Sequence, residues 1–163
     1  MDIIDISTPD QLLLEVSRQM HDHGWAMLGT EYERVPFFLT VGLEYSYQHP
    51  NLEVFGLDED RAREYLDHLI GRIQQGEKFV AGDFFSGLTP GYDLILVENP
   101  CDPNGPPLTG GRLRMCWPDK NHRYPWDHDC DKYCAVQTYL PPIEGINLEG
   151  IHLMLGTLGA KND

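Results

Sequence analysis

Positive charge is what this sequence has least of. It carries 12 lysine and arginine residues against 26 aspartates and glutamates, a formal net charge of −14. A field of that sign repels phosphate backbones and anionic lipid surfaces, so neither direct nucleic-acid binding nor membrane association is expected. No apolar run approaches the roughly 20 residues that cross a bilayer. The first residues, Met1-Asp2-Ile3-Ile4-Asp5, lack the basic start of a signal peptide, which makes the cytoplasm the expected location. Cysteine is scarce too. Cys101, Cys116, Cys130 and Cys134 form no Cys-x-x-Cys pair, and without a secretory signal they read as free thiols rather than a disulfide framework. Also missing are a Gly-Lys-Ser/Thr phosphate loop, Gly-x-Ser-x-Gly, His-Glu-x-x-His and a dinucleotide-binding glycine pattern.

What is present suits one domain over residues 1–163, with 41% apolar residues and no repeat or low-complexity stretch. Thr8-Pro9-Asp10-Gln11 reads as an N-cap, a first-turn proline and a capping-box glutamine. Leu12, Leu13, Val16 and Met20 follow at helical spacing, and Gly24 stops the helix with His21 and His23 in or just past its last turn. A second helix runs from Glu59 to Gln75, capped by Asp58 and ended by Gly76. Ala62, Tyr65, Leu66, Leu69, Ile70 and Ile73 make one apolar stripe along it. Strand character, from aromatic and β-branched residues, marks 25–30, 36–43, 52–57, 78–81, 92–98 and 112–117. Residues 151–158 read as a last strand or short helix, with fraying expected over 160–163. Residues 82–91 and 99–111 read as glycine- and proline-rich loops. The expected fold is α+β: a mainly antiparallel sheet of about five or six strands packed with two helices. A partly closed barrel is the alternative.

Several short motifs, in order, resemble the domain-of-unknown-function 4262 family. They are His23-Gly24-Trp25, Phe38 to Leu43, His49-Pro50-Asn51-Leu52-Glu53-Val54-Phe55-Gly56-Leu57, Gly76 with Phe79, Trp117-Pro118-Asp119 and Tyr124-Pro125-Trp126. Leu39 stands where the family usually has tyrosine, and Asn51 where it often has glutamate. The family's usual glycine near His122 is absent, and the cysteine-bearing segment after Trp126 lies outside the pattern. The resemblance implies a compact α+β domain of bacterial or phage type and supplies no mechanism.

Three side-chain groupings carry candidate chemistry. Cys116, His122, His128, Cys130 and Cys134 lie close in sequence. Cys130 and Cys134 can present two thiolates one helical turn apart, with His128 and either Cys116 or His122 completing a zinc tetrahedron. Zinc is the one cofactor the sequence raises. The other reading is a loop with ordinary thiols. His49, Glu53 and Asp119 are weak candidates for a general acid–base pair. The aromatic segment from Trp117 to Trp126 can line a pocket or plug the core. Arg112 and Arg114 beside it would be natural anion binders or salt-bridge partners. Gly42 in Thr40-Val41-Gly42-Leu43 marks a close backbone approach, of a ligand or of a packed helix.

Three functions remain open. In the leading one the protein binds a small molecule or a protein partner at a surface built from the Tyr45–His49 loop and the Trp117–Trp126 segment. Tyr45, Tyr47, His49, Arg112, Arg114, Trp117, Asp119 and Trp126 are its candidate contacts. The second is a hydrolase, with or without a metal. The third is an acidic decoy for a nucleic-acid-binding protein, set against the plainer reading that scattered acids serve solubility. Oligomeric state is not readable.

Overall fold

The computed structural model describes residues 1–6, 9–89, 91–108 and 111–140. In chain order the elements are β1 (Ile4–Asp5), α1 (Pro9–His23), β2 (Ala26–Tyr32), β3 (Val35–Val41), α2 (Leu43–Tyr47), β4 (Leu52–Phe55), α3 (Glu59–Gln74), β5 (Phe84–Thr89), β6 (Tyr92–Val97), β7 (Leu113–Cys116) and α4 (Lys132–Ala135). A 3-10 turn follows over Val136–Thr138. Among the described residues the strands form one sheet in the order β1-β2-β3-β4-β7-β6-β5.

The sheet is mixed and open. Two antiparallel groups, β2-β3-β4 and β7-β6-β5, meet along a parallel seam between β4 and β7, and β1 joins β2 in parallel. This corrects the expected mainly antiparallel sheet of five or six strands with two helices, and the barrel alternative. The long connection through α3, β5 and β6 lets β7 return beside β4 in the same direction. The strand order runs from one edge to the other without closing.

The start of α3 and the end of α1 fall where their residues dictate. The Asp58 carboxylate accepts from the Arg61 amide (2.9 Å) at the start of α3. At the end of α1 the Gly24 amide donates to the Met20 carbonyl (2.9 Å), with Gly24 at φ 84°. The expected strand at 78–81 is a turn instead. The Val80 amide donates to the Asp83 side chain and the Asp83 amide to the Val80 carbonyl, so the strand starts only at Phe84, inside the stretch read as a loop. The Thr8 cap, the element at 151–158 and the fraying end at 160–163 lie outside the described residues.

Alternation along the strands sorts residues onto two faces. The first face carries Met27, Phe38, Leu52, Val54, Leu113, Met115, Leu94 and Leu96, and the full stripe of α3 from Ala62 to Ile73 packs on it. The second face carries two apolar clusters. Under α1, Leu12 and Val16 meet Ala26, Leu28, Phe37, Leu39, Val41 and Phe55. At the other end Ile95, Val97 and Cys116 are covered by Tyr124 and Trp126. Between these clusters, at the seam, the second face is polar.

Candidate functional site

The seam holds the most deeply buried charges. Glu53 on β4 lies opposite Arg114 on β7, with side chains 0% and 1% exposed. The Arg114 Nε donates to one Glu53 oxygen (2.9 Å) and the Arg112 Nε to the other (2.7 Å). Arg114 Nη1 also donates to the Gln137 and Tyr139 carbonyls (2.7 and 2.6 Å), fastening the segment after α4 to the sheet. Its guanidinium lies 5.6 Å from the Phe55 ring centre. Arg114 is therefore a structural tether, whereas Arg112 stands at the rim of the seam.

That rim is one side of a cleft of about 340 Å3, where β3 ends and β4 and β7 begin. Leu39, Val41 and Pro50 give it apolar surface. Glu44, Gln48, Asn51 and Arg112 give it polar surface, and Thr40, His49 and Gly111 complete the lining. The wall is built by α2. Gly42, at φ 96°, turns the chain from β3 into α2, and a Cβ there would lie 2.2 Å from the Met20 sulfur. Packing of α1 thus accounts for this glycine. Asn51 knits the corner together: its Oδ1 accepts from the Leu43 amide and the Thr40 hydroxyl, and its Nδ2 donates to Glu44 (3.2, 3.3 and 3.1 Å).

His49 sits beside this cleft but is spent on structure. Its Nε2 accepts from the Phe79 amide (2.9 Å), which makes Nδ1 the protonated nitrogen, and Nδ1 donates to the Pro50 carbonyl (2.8 Å). Burial holds the imidazole below its ordinary pKa, Pro50 opposes that shift, and the Lys78 charge adds to it. Asp119 is also engaged elsewhere. It accepts from the Asn121, Arg123 and Asp131 amides (2.8, 3.0 and 3.0 Å). Burial works against its charge, but these amides and the Arg123 guanidinium outweigh it and hold the carboxyl below the usual range. No hydrogen bond joins any two of His49, Glu53 and Asp119. The expected acid–base grouping is not assembled.

The expected recognition surface is split. Leu52 pairs with Leu113 and Val54 with Met115, so His49 lies before the first end of the seam and Trp117 beyond the second. Strands of this length separate the two ends by about 10 Å. Trp117 packs on the first face beside Gly56, and Trp126 on the second. Tyr45 is an exposed residue of α2, while Tyr47 packs toward the α3 core and accepts from Gln74 (3.2 Å). Of the candidate contacts, His49 and Arg112 line the cleft. Glu44 and Asn51 were not singled out as contacts from sequence, whereas Gln48 lies within the Tyr45–His49 loop that was. The one usable signal was Asn51, a polar residue set directly against an apolar strand.

The thiols do not gather into a metal centre. Among the described residues no group of three or more His, Cys, Asp or Glu is arranged to hold a metal ion. Burial pushes the Cys116 thiol up to about 12, against the Arg114 charge. Cys134 is pushed up to about 12 by burial and then by Cys130 and Asp119, and it lies within reach of the Trp117 and Arg123 carbonyls (3.4 and 3.5 Å). Asp131 caps α4 after Cys130, which leaves Cys130 outside the helical turn its spacing suggested. His128 is exposed, and His122 packs against Tyr92 with ring centres 5.6 Å apart. All four cysteines are free.

A family model described as a domain of unknown function, DUF4262, matches residues 19–102. The match covers just over half of the chain, from the last turns of α1 through β6, and the chain belongs to this family. The cleft wall at α2 and the first half of the seam lie inside the matched segment. Arg112, β7 and the tryptophan-bearing segment lie beyond it. No curated protein and no solved structure matches the chain. No helix among the described residues is long and apolar enough to cross a membrane.

Proposed function

We propose that the protein is a cytoplasmic binding module that takes a small polar molecule in the cleft between α2 and the start of β7. The observation that carries this reading is the pair of charged wall residues, Glu44 and Arg112, each oriented by a buried polar neighbour. Asn51 orients Glu44, and Glu53 orients Arg112. Groups held this way meet a ligand with little further loss of side-chain freedom. About 340 Å3 is at the small end of ligand pockets, which run from about 300 to 1,000 Å3. Opposite charges across one cleft favour a ligand that carries both an anionic and a cationic or hydrogen-donating group. The four free thiols agree with a reducing compartment.

The test is a thermal-shift screen of small zwitterionic, anionic and cationic metabolites, followed by calorimetry on each hit. A ligand at a hundredfold excess over its Kd stabilises the folded state by about 2.7 kcal/mol, a readable shift. Zwitterionic hits should lose at least tenfold in affinity in both Arg112→Gln and Glu44→Gln. Arg112→Gln leaves Glu53 paired with Arg114, so the fold survives. Hits indifferent to both substitutions, or an empty screen, would defeat the reading.

A further inference from the structure

On the second face, at the β5–β6 end of the sheet, two aromatic rings meet at a right angle. Phe84 lies on β5 opposite Ile95 and is 59% exposed. Its ring stands at 80° to Tyr124 with centres 6.5 Å apart. Tyr124 is held from two sides. Its hydroxyl donates to the Asp93 carbonyl (2.8 Å), and Trp126 stacks on it at 5.3 Å with an interplanar angle of 9°. Its amide donates to the Asp127 carboxylate (2.7 Å), so the loop that carries the ring is also fixed. The exposed Phe84 ring thus stands beside a ring, Tyr124, that is fixed in place.

Carboxylates outnumber cations around this corner. Asp93 lies on the same face and accepts from the Ser86 hydroxyl (2.9 Å). The Asp127 carboxylate accepts from the Tyr124 amide, and Asp129 follows. Arg123, the neighbouring cation, is paired with Asp129. Burial, and after it the Asp93 and Asp127 charges, push the Tyr124 hydroxyl above its ordinary pKa. Aromatic faces attract cations, and nearby carboxylates deepen the attraction. The chain already uses this contact internally, with the Arg72 guanidinium 5.1 Å from the Phe79 ring centre.

We infer that the Phe84–Tyr124 corner, rimmed by Asp93 and Asp127, is a docking site for a lysine or arginine side chain on a basic segment of a partner protein. The cation lies over the exposed Phe84 ring, and the rim carboxylates steer the segment toward it. Net charge of −14 adds a general attraction for basic partners. The corner supplies the specific part.

The probe is a Lys-Ser repeat peptide, with its Gln-Ser counterpart as control, titrated calorimetrically into the full chain. Phe84→Ala leaves net charge unchanged and removes an exposed ring, so it isolates the aromatic share. It should weaken the lysine peptide about two- to fivefold, the size of an exposed cation–π contact. Asp93→Asn should weaken it further as salt is lowered. Arg112→Gln should leave it untouched, which separates this site from the cleft. Equal binding of the lysine peptide by wild type and Phe84→Ala, or equal binding of the glutamine peptide, overturns the inference. Binding of tetramethylammonium that depends on Phe84, with no binding of the peptide, overturns the assignment of a protein partner.

Discussion

A carboxylate with no exposed surface is tolerated inside a sheet only when both of its oxygens are met, and Glu53 shows how this chain arranges that. The register of β4 and β7 puts Arg114 directly across, and Arg112 reaches the second oxygen. Removing the charge with the near-isosteric Glu53→Gln leaves the Arg114 guanidinium buried without its counter-charge. Loss of one partner of a buried pair costs about 3–5 kcal/mol, and urea denaturation of the variant should show a loss of that size. Because Arg114 also holds the Gln137 and Tyr139 carbonyls, amide exchange in the 3-10 turn should rise as well. Sequence alone singled out Glu53 as an acid–base candidate and Arg112 and Arg114 as anion binders or salt-bridge partners of the many acids; the ion pairs form, but nothing in the sequence named Glu53 as their partner. Their separations of 59 and 61 residues explain why. Only the parallel pairing of two short strands brings them together, and no local pattern encodes that pairing. His49 and Asp119 are similar cases: each was a candidate because a histidine and a carboxylate can form an acid–base pair, and each proves to serve backbone amides.

At the scale of elements, helix α3 was legible almost residue for residue, because sixteen residues are enough for a stripe to declare its period. Five residues are not, and α2 was read as part of a polar loop. The Tyr45–His49 segment was singled out as a recognition surface, but Glu44 on the same wall was missed. The same limit hid β1, which is two residues long. It also blurred β5, where the register shifts between Phe85 and Thr89 and glycines flank the strand. Helix α3 can be tested at two positions with different costs. Leu66, fully buried on the first face, should cost about 2–5 kcal/mol on truncation to alanine. Asp58, which caps the helix, should cost about 1 kcal/mol as alanine. Chemical denaturation that finds the cap change as damaging as the core change would argue against α3 as the packed cover of this sheet.

For the molecule as a whole, two polar residues set how stability responds to acid. His49 ties the α2 corner to the chain after α3 by accepting from the Phe79 amide. A protonated ring has no lone pair to accept with, so the folded state resists protonation. Burial is the main cause of its lowered pKa. In the unfolded chain the same imidazole takes up its proton near 6.5. The unfolded state therefore binds more protons once the pH drops below that value, and stability falls with pH until the folded ring is protonated too. The contribution is complete above about 6.5 and is lost as pH falls through the folded value. Asp119 acts in a lower window with the same sense. Its carboxyl is held below the ordinary range by three amides and Arg123, so its contribution is present above about 4 and disappears as pH falls through its own folded value. Urea melts between pH 8 and pH 3 should accordingly show two declines. His49→Gln should lower stability at pH 8 and flatten the first decline while leaving the second. Asp119→Asn should do the reverse. A first decline that persists unchanged in His49→Gln would show that the bond from Phe79 to the imidazole does not hold the α2 corner to the rest of the fold.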